Sequence, residues 1–120
     1  MSLVMEIVSA EYQVTYDPEQ NLVAMAGKMR LESLDRYQPI LDLLTRAIAS
    51  HPPHFILDVT NLEFLNSSGL SMLLMFVVKV RETGCMGLTI RGSQAFPWQV
   101  KSLKNVRRLM PEMQLDLRST

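Results

Sequence analysis

The chain has 120 residues, 12 Lys plus Arg against 12 Asp plus Glu, 48% hydrophobic and 20% charged residues. That composition fits one globular domain with a real core and excludes intrinsic disorder. Zero formal charge argues against attraction of the whole domain to nucleic acid or an anionic membrane, and the single Cys85 excludes an internal disulfide and a thiolate zinc site.

Met1–Glu6 lacks a basic segment and does not read as a secretory signal. Residues 3–8 either extend the first strand or lie along an edge. Tyr12, Val14 and Tyr16 alternate with polar residues, which predicts a strand. Asp17-Pro18-Glu19-Gln20-Asn21 is turn chemistry. Leu22–Ala26 is a second strand that stops near Gly27, completing an antiparallel hairpin. Leu34, Tyr37, Ile40, Leu41, Leu44, Ala47 and Ile48 predict an amphipathic helix over 34–50, capped by Ser33. Pro39 either kinks that helix or marks a later start, and His51-Pro52-Pro53 ends it.

Phe55–Val59 reads as a strand buried on both faces, and Asn61–Asn66 as a loop. Ser67–Arg81 is a second helix closed by a left-handed Gly84. Met86–Arg91 is a strand. Pro97 suits the first position of a third helix that runs to about Met110, and Met113, Leu115 and Leu117 alternate as a last strand. The order β-β-α-β-α-β-α-β predicts a single α/β domain over 1–120. Its sheet is mixed and mostly parallel, with an antiparallel edge hairpin and about three packed helices.

The longest apolar run, Met72–Val78, is seven residues, far short of the roughly 20 of a membrane span. A cytoplasmic, reducing location is the expectation. The zero charge is a cancellation: residues 1–63 carry nine acids and four bases, residues 64–120 three acids and eight bases. Lys101, Lys104, Arg107 and Arg108 lie near one face of the third helix. A solvated face is the simplest reading. An acidic partner surface is the second and nucleic acid the third, since no interleaved aromatics accompany the charges.

Catalytic chemistry finds little support. His51 and His54 flank the Pro-Pro turn without a third metal ligand. Asp58 has no neighbouring carboxylate in sequence, and no phosphate-binding glycine loop or nucleophile elbow occurs. The chain reads as a non-enzyme with no metal and no cofactor. The segment with mechanism in it is Asn66-Ser67-Ser68-Gly69-Leu70. Asn66 or Ser67 can cap the second helix. A serine at a helix N-terminus sits in a field that stabilises a phosphate, which adds about −1.5 to −2 charge.

Phe55-Ile-Leu-Asp-Val-Thr-Asn-Leu-Glu-Phe-Leu-Asn-Ser-Ser-Gly-Leu70 resembles the central segment of the STAS domain, the fold of bacterial anti-sigma factor antagonists. The resemblance covers roughly residues 10–117, with hairpin, helices and last strand in the expected order. It implies a regulatory protein–protein interaction module in transcription control and signal transduction. Its partner would be a serine kinase of the anti-sigma type, with no nucleic acid and no membrane. By position the phosphoacceptor is Ser67, with Ser68 adjacent. Asn66 stands where the family usually has Asp, and Arg30 reverses a charge in the family's G-x-L-D pattern at Gly27-Lys28-Met29-Arg30.

By helical wheel, Leu70, Leu73, Leu74 and Val77 face the sheet, while Met72, Met75 and Phe76 fall opposite. Either another helix covers them or they form an exposed docking patch beside the serine. Asn66, Gly69, Met72, Met75 and Phe76 are therefore the candidate partner-binding residues. A non-phosphorylated scaffold or self-associating subunit is the alternative. A small-molecule or nucleotide binder, or a weak hydrolase using Asp58 and the serines, is a third reading.

Overall fold

The computed structural model describes residues 5–119. Six strands form one sheet in chain order: β1 (Met5–Val8), β2 (Tyr12–Asp17), β3 (Leu22–Met29), β4 (His54–Leu65), β5 (Gly87–Ser93) and β6 (Gln114–Arg118). β1, β2 and β3 pair antiparallel; β3 through β6 pair parallel. The predicted mixed, mostly parallel sheet is what forms. Residues 5–8 form an edge strand of their own, and the part of that segment before Met5 lies outside the described residues.

Each parallel connection carries a helix: α1 (Gln38–Ala47), α2 (Ser67–Thr83) and α3 (Pro97–Arg107). Strands 3 to 6 advance in one direction, so right-handed crossovers place all three helices on one face. Contacts agree. Tyr16 Oη donates to the Ala47 carbonyl at 3.4 Å. Phe76 of α2 meets Phe55 of β4 edge-to-face, centroids 5.7 Å apart. Gln99 and Leu103 of α3 crowd Gly92 of β5. Val14, Val23, Met25, Phe55, Leu57, Val59, Leu88 and Ile90 fill the sheet side of this core. The opposite face carries Thr15, Ala24, Ile56, Asp58, Thr89, Arg91 and Asp116, with Arg91 and Asp58 3.8 Å apart.

Three local readings change. The helix predicted from residue 34 begins as a 3-10 turn at Leu34–Tyr37, and the α-helix starts at Gln38 with Pro39 in its first turn. Proline's missing N–H is harmless there, so Pro39 marks the later start. Ser33 makes no side-chain cap. The third helix ends at Arg107, but Arg108, Leu109 and Met110 continue as tight turns onto carbonyls three residues back, at 3.1 Å each. Pro97 and the left-handed Gly84 sit where predicted.

The largest correction is Asn61–Leu65, which is strand and not loop. β4 pairs with β3 from Ile56 to Leu65, but twice spends one residue more than its partner. Ala24 and Ala26 oppose Asp58 and Asn61, and Gly27 and Lys28 oppose Leu62 and Phe64. Each extra residue is a bulge that resets the alternation. The buried set therefore runs Phe55, Leu57, Val59, then Leu62, then Leu65. β3 likewise runs past Gly27 to Met29. Gly27 has φ +95°, a conformation glycine adopts without steric penalty.

Candidate functional site at the start of α2

The bulged end of β4 delivers Asn66 to the C-terminal edge of the parallel strands, where α/β proteins place their sites. Asn66 N–H donates to the Met29 carbonyl at 3.2 Å, extending the pairing by one residue, and the Asn66 carbonyl accepts the first helical bond from Leu70 N–H at 2.9 Å. Its side chain bonds through both the oxygen and the nitrogen. Oδ1 accepts from Gly69 N–H at 3.0 Å and from Tyr37 Oη at 2.6 Å; Nδ2 donates to the Leu31 carbonyl at 2.8 Å. Two donors on one side and a carbonyl on the other fix the amide orientation.

This geometry explains why the position carries Asn. An Asp would cap α2 equally well but would set a carboxylate oxygen against the Leu31 carbonyl. Asn66→Asp is expected to lower stability by about 1–2 kcal/mol at neutral pH. The charged form is the penalised one, so the folded-state pKa of the new carboxyl is raised. The deficit then shrinks as pH falls through the carboxylate range, where a protonated acid can donate to Leu31. Urea unfolding across that range checks it, and a variant as stable as the parent at pH 7 would remove this account of Asn66.

Tyr37 completes the knot. It is fully buried, donates to Asn66 and accepts from Leu31 N–H at 3.4 Å, tying the segment after β3 to the start of α2. Burial pushes its phenol above the ordinary 10.0; the Leu31 N–H works the other way and Tyr12 adds to the rise. A group held protonated in the fold adds stability below its unfolded pKa, and this is lost as pH rises through the folded value. Tyr37→Phe is expected to lose about 1–2 kcal/mol at neutral pH. The gap to the parent should narrow above about pH 10, read by urea midpoints at rising pH. An unchanged gap would sink the assignment.

Ser67 is exposed at the first helical position and Ser68 half-buried at the second. Gly69 is buried because a side chain there would strike Leu65 and approach the Tyr37 hydroxyl at 2.8 Å. Its role is close packing under the cap, so it offers a partner no surface. Met72 and Phe76 are likewise fully buried, which corrects the reading of an exposed Met72/Met75/Phe76 patch. Phe76 meets Phe55 of β4, and Gly69, Met72, Leu73, Phe76, Val77 and Val80 form one buried stripe, so the sheet-facing side of α2 is rotated from the one the wheel assigned. Met75 alone of the three is exposed, at 40%.

The apolar outer surface of α2 instead comprises Leu74, Met75 and Val78, which with Lys79 and Glu82 line a recess of about 360 Å³. Leu70 and Leu74, assigned to the sheet side by the wheel, are only half-buried. Ser67, Ser71, Leu74 and Val78 follow i, i+4, i+7, i+11 spacing and share one side. Phe64, two residues before the cap, and Leu34, in the turn packed on α2, are also exposed. Asp58 pairs with Arg91 on the opposite sheet face, away from the serines. Arg30, the charge reversal beside Gly27, is matched by an ion pair with Glu11.

Sequence reasoning missed Tyr37, Trp98 and Gln99. Gln99 is fully buried. It accepts from Ser93 N–H at 2.7 Å and donates to the Val59 and Leu62 carbonyls at 2.7 and 3.0 Å; Trp98 Nε1 donates to Leu62 at 2.8 Å. These bonds pin the first β4 bulge, and so the approach to Asn66. Among the described residues no group of three or more His, Cys, Asp or Glu is placed to hold a metal ion, and no helix is long and apolar enough to cross a membrane.

No family model matches the sequence, and no curated protein matches it. Solved structures match its fold. SiaC of Pseudomonas aeruginosa superposes with a TM-score of 0.72 at 15% identity, over 98% of this chain and 99% of that one. A chain in the crystal structure of the diguanylate cyclase SiaD in complex with its activator SiaC, from the same organism, gives 0.74 at 14% identity, over 97% and 99%. An anti-sigma factor antagonist from Mycobacterium paratuberculosis gives 0.56 at 17% identity, over 97% and 86%. Together they show a STAS-like fold.

Proposed function

We propose that this chain is a regulatory interaction module of the bacterial cytoplasm, not an enzyme. It docks on a protein partner through the start and outer face of α2 and is switched by phosphorylation at Ser67. One observation carries the reading. Ser67 is exposed on the first turn of α2, and the same side of that helix continues through Leu74 and Val78, with Met75 adjoining. A phosphate on Ser67 is favoured in place by the helix N-terminus. It opposes docking, because burying it against an apolar partner surface costs its hydration. The Asn66 knot holds the serine still without lending it a base, so the proton must be taken by the kinase.

The STAS resemblance supports a serine kinase of the anti-sigma type as partner, with the chain acting as its antagonist. The higher TM-scores to SiaC chains support a second partner class, a catalytic protein that the module activates. Both use the same α2 surface. Ser67→Asp is expected to weaken partner capture about tenfold or more, with Ser67→Ala retaining it and both leaving the unfolding midpoint near that of the parent. Incubation with the cognate kinase and ATP should add roughly 80 Da at Ser67. Equal capture by both variants, with no mass gain, would replace the switch by a constitutive scaffold.

A further inference from the structure

We infer that the outward face of α3 is a second docking surface, separate from α2, and that its occupant is an acidic segment of a protein partner. Residues 97–111 contain Lys101, Lys104, Arg107 and Arg108 and no carboxylate, while the rest of the chain carries eight bases against twelve acids. Positive charge is therefore gathered on one helix of a neutral molecule. α3 faces the core with Gln99, Leu103 and Val106. At 100° per residue, Lys101, Lys104 and Arg108 fall on the opposite side, with Arg107 flanking. All four are exposed, and none is ion-paired among the described residues. Lys104, Arg107, Arg108 and Pro111 line an open recess of about 590 Å³, so three of the four charges border one shallow depression.

The dimensions and chemistry select the occupant. Lys101 to Arg108 spans about 10 Å along the helix, the reach of three or four residues of extended chain. A carboxylate-bearing peptide of that length can meet all four cations, and rim charges of this kind steer association. Nucleic acid fits less well. The one aromatic residue of α3, Trp98, is half-buried with its indole N–H donated to Leu62, leaving no stacking platform for bases. A bilayer fits less well too, because Val100, 36% exposed, is the one large apolar side chain that this helix shows to solvent.

The test uses the full chain and, as probe, a fluorescein-labelled peptide of about ten alternating Glu and Asp residues, followed by anisotropy at low and moderate salt. Lys104→Glu with Arg108→Glu is expected to raise Kd about tenfold or more, and Arg108→Gln alone by a smaller factor. Arg36→Glu with Arg46→Glu makes the same change in net charge before and within α1 and should shift Kd less than about twofold. Ser67→Asp should leave peptide binding unchanged, so failure here and failure of the α2 switch are read separately. Equal weakening by both charge-reversed pairs would overturn the proposal. So would tighter binding of a thymidine oligonucleotide or of phosphatidylserine vesicles than of the peptide.

Discussion

Gln99→Met is expected to destabilise the fold by roughly 2–4 kcal/mol, because an apolar side chain of similar length abandons three buried partners at once. Ser93 N–H and the Val59 carbonyl each lose a 2.7 Å bond, while the Leu62 carbonyl keeps Trp98. The effect should be local as well as global. Val59 and Leu62 flank the first bulge of β4, so amide exchange over residues 59–66 should accelerate more than in β2. The urea midpoint and residue-resolved exchange check both parts. A midpoint within about 0.5 kcal/mol of the parent would mean that the bulge holds itself.

Gly27→Ala is expected to lose about 2–4 kcal/mol, by strain and not by a missing contact. The backbone sits at φ +95°, and a Cβ would strike the Glu11 carbonyl and lie 2.9 Å from Tyr12 Cα. Neither is the free end of a side chain, so the backbone must move. It is held by the bond from Lys28 N–H to Glu11 at 2.8 Å. Beyond Gly27 lie Met29 and Leu31, whose carbonyls receive Asn66 N–H and Nδ2. The substitution should therefore loosen the start of α2 through β3. A thermal midpoint unchanged from the parent would show that β3 can relax at this point.

How far the sequence could be read follows from what breaks periodicity. Tyr12, Val14 and Tyr16 alternate cleanly with polar residues, and the strand forms over Tyr12–Asp17. Pro97 and Gly84 act through backbone conformation alone, so they report helix ends wherever they stand. β4 defeats the same method, because each bulge inserts one residue and shifts the inward set by one. Asn61–Leu65 then shows no period at all. The Asn66 cap was legible since capping is local, from Asn66 to Gly69. Its supports were not. Tyr37 looked like one more apolar helix position, and Gln99 like a polar surface residue on an amphipathic helix. Nothing in their neighbours tells that the phenol reaches the Asn66 side chain 29 residues away, or that the amide satisfies the Val59 carbonyl 40 residues away. Met72 and Phe76 misled for a related reason: on a helix with apolar residues nearly all round, a wheel does not fix which stripe meets the sheet, and Phe76 turns out to pack on Phe55 of β4.

The strand order has a consequence for how the chain reaches this state. Every strand pairs with its neighbour in sequence, so no pairing waits for a distant segment. β1, β2 and β3 can zip as local hairpins, and each later strand adds to an existing edge after one helical connection, the longest spanning residues 30–53. Loop closure grows slowly with length, so the search is modest at every step. β6 joins last, with α3 already between it and β5. A chain emerging from its N-terminus can thus build the sheet in the order in which it is made, while the β4 bulge that leads to Ser67 is pinned only when Trp98 and Gln99 of the cationic helix arrive.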